Sequence, residues 1–370
     1  MSSQATTWRA PASLFKAGWI ISANDDLVYF IGSVASGYAL LLMNRLWGVP
    51  LLFLVFVWAI VFDGPHVWAT FSRTYLDAEE RKQRARLLYG CAFWFVLGPA
   101  LVLSTQWFHR DIFAKSFFFF ANIWAYYHLV KQHYGFMVLY KKKNGDLASY
   151  DNALDRIFLV FLLGYPFVWM IVTYPPAHEY LPVSLGGAFE SVMLRVLFAA
   201  MLGVIFLWVM RQVQRLLRRD QVNLPKYLLL AAYIPLHWIV ISSVVRANMT
   251  PLALVPLLTL PHNIQYHRLV WFHNSNKYQQ PEAERHYGWA VFANKTFLRY
   301  AIFGLLFNFL YQLPRAYVGS TNNYMTVQSI AAAFFWGYAF THYYLDAKIW
   351  RVRRDPVLNQ SLQLTEASPS

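Results

Sequence analysis

Six histidines of this chain sit in short polar stretches cut into apolar sequence. They are His66 in VFDGPHVWATF, His128 and His133 in YYHLVKQHYGF, His262 and His267 in LPHNIQYHRL, and His342 in FTHYYLDAKIW. Neutral imidazole is a common nitrogen ligand for iron, zinc or copper. Several imidazoles converging from different helices call for a charge to compensate for their burial, and a metal ion supplies it. His66, His128, His133, His262, His267 and His342 are therefore the candidate metal ligands. Within each His-x4-His pair the two side chains stand about 140° apart on a helix, so one straight helix does not chelate one ion with both. Such a pair straddles two ions, or one member supports the other. The residues four positions on share a face with their histidine: Gln132 with His128, Tyr266 with His262 and Asp346 with His342. Asp63, Asp346 and Tyr266 are the candidate catalytic groups, the two acids as ligands or as carboxylates that hold a ligand imidazole. Pro65 and Pro261 each precede a candidate histidine, and each frees a helix carbonyl just where the ligand begins.

The elements that position these residues are membrane spans. The chain has 370 residues, 58% hydrophobic, 19% aromatic and 14% charged, against about 25% charged in a soluble domain. The apolar residues come in blocks of roughly 20, near 27–46, 48–70, 87–105, 117–140, 155–174, 192–211, 227–246, 250–272, 297–313 and 327–347, each close to the length that crosses hydrocarbon. Spanning segments must satisfy their backbone internally and are therefore helices. The expected fold is an all-α polytopic bundle of about ten transmembrane helices. Residues 1–355 form one transmembrane domain, and residues 356–370 a polar, disordered tail.

Lys and Arg set the orientation. With both termini on one side, that side collects the clusters Arg81–Arg86, Lys141–Lys143, Arg215–Arg219 and Arg351–Arg354, while the opposite loops hold Arg45, Arg110, Lys115, Arg246 and Arg315. The loop 174–191 has no Lys or Arg. The basic side is the cytoplasm. The net charge of +14 is thus a topology signal, and nucleic-acid binding is not expected. The four histidine stretches fall on spans two, four, eight and ten, all running inward, and all in the cytoplasmic half. His109, His178 and His286 read as surface residues and His273 as interfacial. His237 stands alone in span seven and is expected to hydrogen-bond within the bundle.

The single Cys91 rules out a cysteine metal site or disulfide framework. No HExxH or GxSxG stretch is present, and the N-terminus lacks the layout of a signal peptide. A histidine-rich, carboxylate-poor site in a membrane suits non-haem iron and dioxygen. The substrate would be lipophilic and enter from the bilayer, and the aromatic runs Phe117–Phe120 and Phe334–Trp336 could line its path or simply face lipid. An electron donor is a further possible partner, and a bacterial inner membrane the expected location. Non-haem iron, as one or two ions, is the expected cofactor and haem held by two imidazoles the alternative; a haem-binding redox protein or a transporter with a polar histidine-lined site is the alternative function.

Two resemblances add to this. The spacing of His128 with His133, and of His262 with His267, resembles the first histidine box of membrane di-iron desaturases and hydroxylases. No two histidines here are adjacent, so their HxxHH boxes have no counterpart. The stretch FDGPH at 62–66 resembles the Pro-His motif of the Brp/Blh-type carotene-cleaving membrane dioxygenases, with Val67 in place of the glycine that follows it. Both resemblances imply a membrane oxygenase with histidine-ligated iron.

Overall fold

The computed structural model describes residues 14–179, 181–183, 186–318 and 327–364. Each of the ten apolar segments contains a helix: α1 (Ala23–Leu46), α2 (Leu51–Thr74), α3 (Ala85–Phe108), α4 (Ile112–Lys143), α5 (Ser149–Thr173), α6 (Gly187–Leu217), α7 (Leu224–Arg246), α8 (Leu254–Tyr278), α9 (Phe297–Phe307) and α10 (Val327–Ile349). Among the described residues the strands are two-residue pieces, β1 (Phe15–Lys16) and β2 (Val222–Asn223), paired in parallel. The protein is a helical membrane bundle, with six helices, α1, α2, α3, α5, α6 and α7, long and apolar enough to cross a bilayer. The helices α4, α8 and α10 fall outside that set, and they carry five of the six candidate histidines.

The most apolar helix is the least buried. The strongly apolar α6 buries only Met201, whereas α8, cut by histidines, asparagine and glutamine, is buried along most of its length. A water-soluble bundle would show the reverse. In hydrocarbon no gain comes from hiding Leu or Phe, so the helix with the most polar groups goes to the centre, where those groups find partners.

Proline and glycine shape the central helices. In α2, Ala59–Asp63 winds as a π-turn just before Gly64 and Pro65. In that winding the proline nitrogen would answer the carbonyl of Ile60 but has no hydrogen to give. Asn308 replaces it, its Nδ2 donating to Ile60 O at 2.8 Å. Only glycine at 64 lets that amide in: a Cβ there would lie 1.8 Å from Asn308 Oδ1. In α8, Pro261 frees the carbonyl of Leu257, and Gly37 of α1 packs onto it so closely that a Cβ would stand 2.4 Å from that oxygen.

The basic loops all meet at one end of the bundle. There β1 joins β2, Asn144 bonds Gly18 in both directions, Lys142 reaches Val352 and Asn359, and Arg84 pairs with Asp355. Beneath them lies a buried ionic cluster. Asp155 of α5 accepts from Lys141 of α4, from Lys226 of α7 at 3.3 Å and from Trp208 of α6 at 2.8 Å. Arg211 forks onto Asp151 beside it. A single carboxylate thus ties four helices.

The tail departs from expectation. Pro356–Ser361 is helical, capped by Asp355, whose side chain accepts from Leu358 N at 2.9 Å. Leu358, Leu362 and Leu364 are buried, giving this nominally polar stretch an apolar face that docks on the bundle. Residues 365–370 lie outside the described residues.

Replacing Asp155 with Ala would strip the buried Lys141 of its partner and leave Lys226 with Asp146 alone. Breaking a buried pair in this way costs about 3–5 kcal/mol. The expected outcome is a clear fall in the thermal midpoint of the detergent-solubilised protein, read by the fraction that remains monodisperse after heating. Asp220→Ala, at an exposed partner of Arg215, should leave the midpoint within error.

Candidate metal centre

Four of the six candidate histidines converge. His66 of α2, His128 of α4, His262 of α8 and His342 of α10 are all buried. The His66 ring lies 4.7 Å from that of His262, 4.5 Å from His342 and 6.4 Å from His128, centroid to centroid. His128 lies 5.2 Å from His262 and 4.8 Å from His342. Each helix gives one imidazole, as inward-facing bundle sites require. His66, His128 and His262 each offer a nitrogen within 4.8 Å of the others, and His128, His342 and Asp346 form an overlapping group of the same kind.

The nitrogens are placed as a cation would need them. His66 Nε2 and His262 Nε2 are 3.2 Å apart, and at most one of the two can carry the proton between them. Two nitrogens bound tetrahedrally at about 2.0–2.1 Å stand about 3.3 Å apart. His66 Nδ1, His128 Nε2, His262 Nδ1 and His342 Nε2 are buried and have no hydrogen-bond partner. Buried polar atoms are rarely left so; His128 Nε2 and His342 Nε2, together with the close Nε2 pair of His66 and His262, mark a place for an ion.

A second layer lies one turn further along each helix, on the basic side. The four helices run in the same direction, so the residue four on from each histidine falls at a common depth, about 6 Å below. These are Thr70, Gln132, Tyr266 and Asp346. Thr70 Oγ1 donates to Asp346 Oδ1 at 2.7 Å, and Tyr266 OH donates to the same oxygen at 2.8 Å. With its proton committed, the Thr70 oxygen accepts from His342 Nδ1 at 2.7 Å. That fixes the tautomer: Nδ1 carries the hydrogen and Nε2 is left as a free lone pair. Gln132 Nε2 donates to the His262 carbonyl at 2.8 Å and to Gln265 Oε1 at 3.2 Å. Trp350 Nε1 reaches Tyr266 OH at 3.4 Å, and the Arg73 guanidinium lies 4.0 Å over the Trp350 ring.

The other expected site residues are elsewhere. His267, 6.1 Å from His66 by ring centroid, has both nitrogens engaged, Nδ1 with Tyr300 OH at 2.7 Å and Nε2 with Phe62 O at 3.4 Å. Its place is to catch a carbonyl of the α2 π-turn. His133 turns from the cluster and stacks on Tyr233 of α7, ring centroids 3.9 Å apart. Asp63 accepts from Gln312 and stands near Arg315, binding α2 to the short helix Gln312–Val318. Tyr266 and Asp346 belong to the second layer. Among the histidines set aside, His109, His178 and His286 are exposed. His273 is not interfacial: it is buried, with Nδ1 2.7 Å from Ser361 Oγ of the docked tail helix. Thr70 escaped notice in the sequence, although it stands four residues after His66 as Gln132, Tyr266 and Asp346 do after theirs.

Thr70→Val should strip the hydrogen-bond acceptor from His342 Nδ1 while keeping the shape. Loss of such a support typically weakens metal binding 10–100-fold. Titration against a chelating dye should show that drop for Thr70→Val and near-normal affinity for Thr70→Ser.

No protein-family model, curated protein or solved structure matches this chain, so its functional reading rests on the four-helix imidazole cluster.

Proposed function

We propose that the protein is a ten-span membrane metalloenzyme with its termini in the cytoplasm, of a bacterial inner membrane, in which His66, His128, His262 and His342 hold one non-haem iron ion and dioxygen acts on a lipophilic substrate. The observation that carries this reading is the convergence of four buried imidazoles, one from each of four helices, with partnerless nitrogens. Bound there, iron would supply redox chemistry toward dioxygen that no side chain provides. A second ion within this cluster is not favoured, because His267 is committed to Tyr300 and His133 lies apart. Close ring packing, with nitrogens of His66 and His262 3.2 Å apart, supports a bare ion over a haem, whose macrocycle needs an open slot between its two axial ligands. The resemblance of FDGPH to the carotene-cleaving oxygenases agrees with this class.

The chain's own residues have definable roles. Thr70 and Asp346 hold His342 in one tautomer. Tyr266, in ring contact with His66 at 4.5 Å, donates its hydroxyl proton to Asp346. The pair is suited to pass a proton to or from the centre. On the far side, Tyr343 stacks on His128 at 4.5 Å, and Trp124, Phe340 and Trp94 continue as an apolar wall toward α3. Between α3 and α10 a groove of about 530 Å³ opens outward, lined by Phe95, Pro99, Leu103, Ile330 and Phe334 among others. It is an apolar surface on which a bilayer-dissolved chain would rest without meeting water.

The experiment is metal analysis of purified protein with an absorption spectrum. Wild type should hold one iron per chain at the cluster with no Soret band. Ala at His66, His128, His262 or His342 should abolish that iron, whereas His109→Ala and His178→Ala should leave it. Retention of iron in the four variants, or a Soret band in wild type, would overturn the reading. Dioxygen uptake in the presence of lipophilic substrates, lost in the same four variants, is the functional counterpart.

A further inference from the structure

A second pair of imidazoles lies between α4 and α7. His133 and His237 are 1% and 0% exposed, and their ring centroids are 5.7 Å apart with the planes nearly perpendicular. Neither nitrogen of His133 has a hydrogen-bond partner, nor does His237 Nε2. The nearby polar groups are few. Tyr233 OH is bonded to Ser33 Oγ at 2.7 Å. Gln265, whose Nε2 donates to Phe30 O at 2.6 Å, offers the second lone pair of the Oε1 that Gln132 occupies as an acceptor for one nitrogen of His133, which leaves the other nitrogen of that ring free.

The state of His237 follows from its neighbour. Tyr126 OH donates its one proton to Leu163 O at 2.6 Å, so at 2.7 Å from His237 Nδ1 it can only accept. His237 therefore carries its hydrogen on Nδ1 and presents Nε2 as a bare lone pair, the same arrangement that Thr70 imposes on His342. A lone pair held ready in an apolar interior, beside a second imidazole that also presents a free nitrogen, is costly unless something accepts from both.

We propose that His133 and His237 form a second metal site, separate from the four-histidine centre, for a transition-metal ion of low charge, copper(I). The size fits. Two metal–nitrogen bonds of about 2 Å, with just over 1 Å from each nitrogen to its ring centre, place the centroids about 6 Å apart when one ion lies between two imidazoles. The charge fits as well. The pair offers two neutral nitrogens and no carboxylate or thiolate, so a monovalent ion buries one uncompensated charge and a divalent ion two, and burial of charge in the membrane interior is the dominant cost. Copper(I) also accepts two ligands, whereas zinc normally takes four.

The test is metal loading of the full-length protein in detergent under anaerobic reducing conditions, with copper(I), iron(II) and zinc(II) offered separately. Bound equivalents are read by mass spectrometry and the copper environment by X-ray absorption. Wild type should take a copper(I) equivalent with two nitrogen neighbours. His133→Ala and His237→Ala should each lose it while keeping iron at the four-histidine centre, and that retained iron shows that the variants are folded. Tyr126→Phe, which frees the His237 ring, should weaken copper binding at least several-fold. His66→Ala should do the opposite, losing iron and keeping copper. If copper(I) does not bind, or binds equally in the wild type and both histidine variants, the second site does not exist. If zinc or iron fills it in preference, the charge argument is wrong.

Discussion

Burial of unprotonated imidazole nitrogen in an apolar bundle is the constraint on which the rest of this structure depends. In water such a nitrogen is satisfied everywhere, but in hydrocarbon it must find a donor or a cation. Of the four converging imidazoles, His128 and His342 have no protein partner at Nε2, and the facing Nε2 atoms of His66 and His262 can share at most one proton. The four stay together because four helices deliver them to one point, and those helices must run in the same direction and in register. The common direction shows in the second layer, where Thr70, Tyr266 and Asp346, each four residues on from its histidine, meet on the same side. The register is what lets Thr70, Tyr266 and Asp346 meet one turn below. A slip of one residue in any of the three would turn its side chain about 100° away and dissolve both layers.

Holding that register demands irregular backbone, and irregular backbone frees carbonyls. The fold answers each with a specific group. Asn308 takes Ile60 O in place of the hydrogen Pro65 lacks. His267 takes Phe62 O in the same turn. The π-turn at Asp26–Ile31 leaves Phe30 O to Gln265. Polar residues of α8 that look superfluous are thus the hydrogen-bond complement of helix defects in α1 and α2. This is why LPHNIQYHRL mixes so many polar types: His262 faces the cluster, Gln265 and His267 repair backbone, and Tyr266 supports the second layer.

The sequence made part of this legible. Apolar block lengths marked where helices occur, because hydropathy is summed over a window and tolerates single polar residues. The alternation of Lys and Arg anticipated which loops gather at one end, because ionic groups such as Lys141, Lys226 and Asp155 are excluded from hydrocarbon together. Histidines on separate helices pointed to convergence, yet the sequence did not sort them. His133 and His267 share the five-residue spacing of their neighbours and differ only in what stands opposite, Tyr233 for one and Tyr300 for the other. His237 looked solitary because its companion lies on another helix. The tail helix was hidden because three leucines among polar residues carry a weak apolar signal, and only the docking surface around His273 makes it a face.

The two ends of the molecule then divide the work. At the basic end, one carboxylate, Asp155, is bound by two lysines and an indole from three other helices. Such a cluster is worth little as net stabilisation, since desolvation cancels most of the attraction, but it is strict about geometry. It fixes where α4 ends relative to α5, α6 and α7. Because α4 also carries His128 and His133, the depth of both imidazoles is set from that anchor. Toward the other end, among α3, α4 and α10, contacts are mainly aromatic, through Trp94, Trp124 and Phe340, and the groove beside them is apolar. Ring packing tolerates sliding far better than an ion pair does. The fold therefore holds the imidazoles against a rigid ionic base and leaves its adaptable, aromatic side on the apolar groove between α3 and α10.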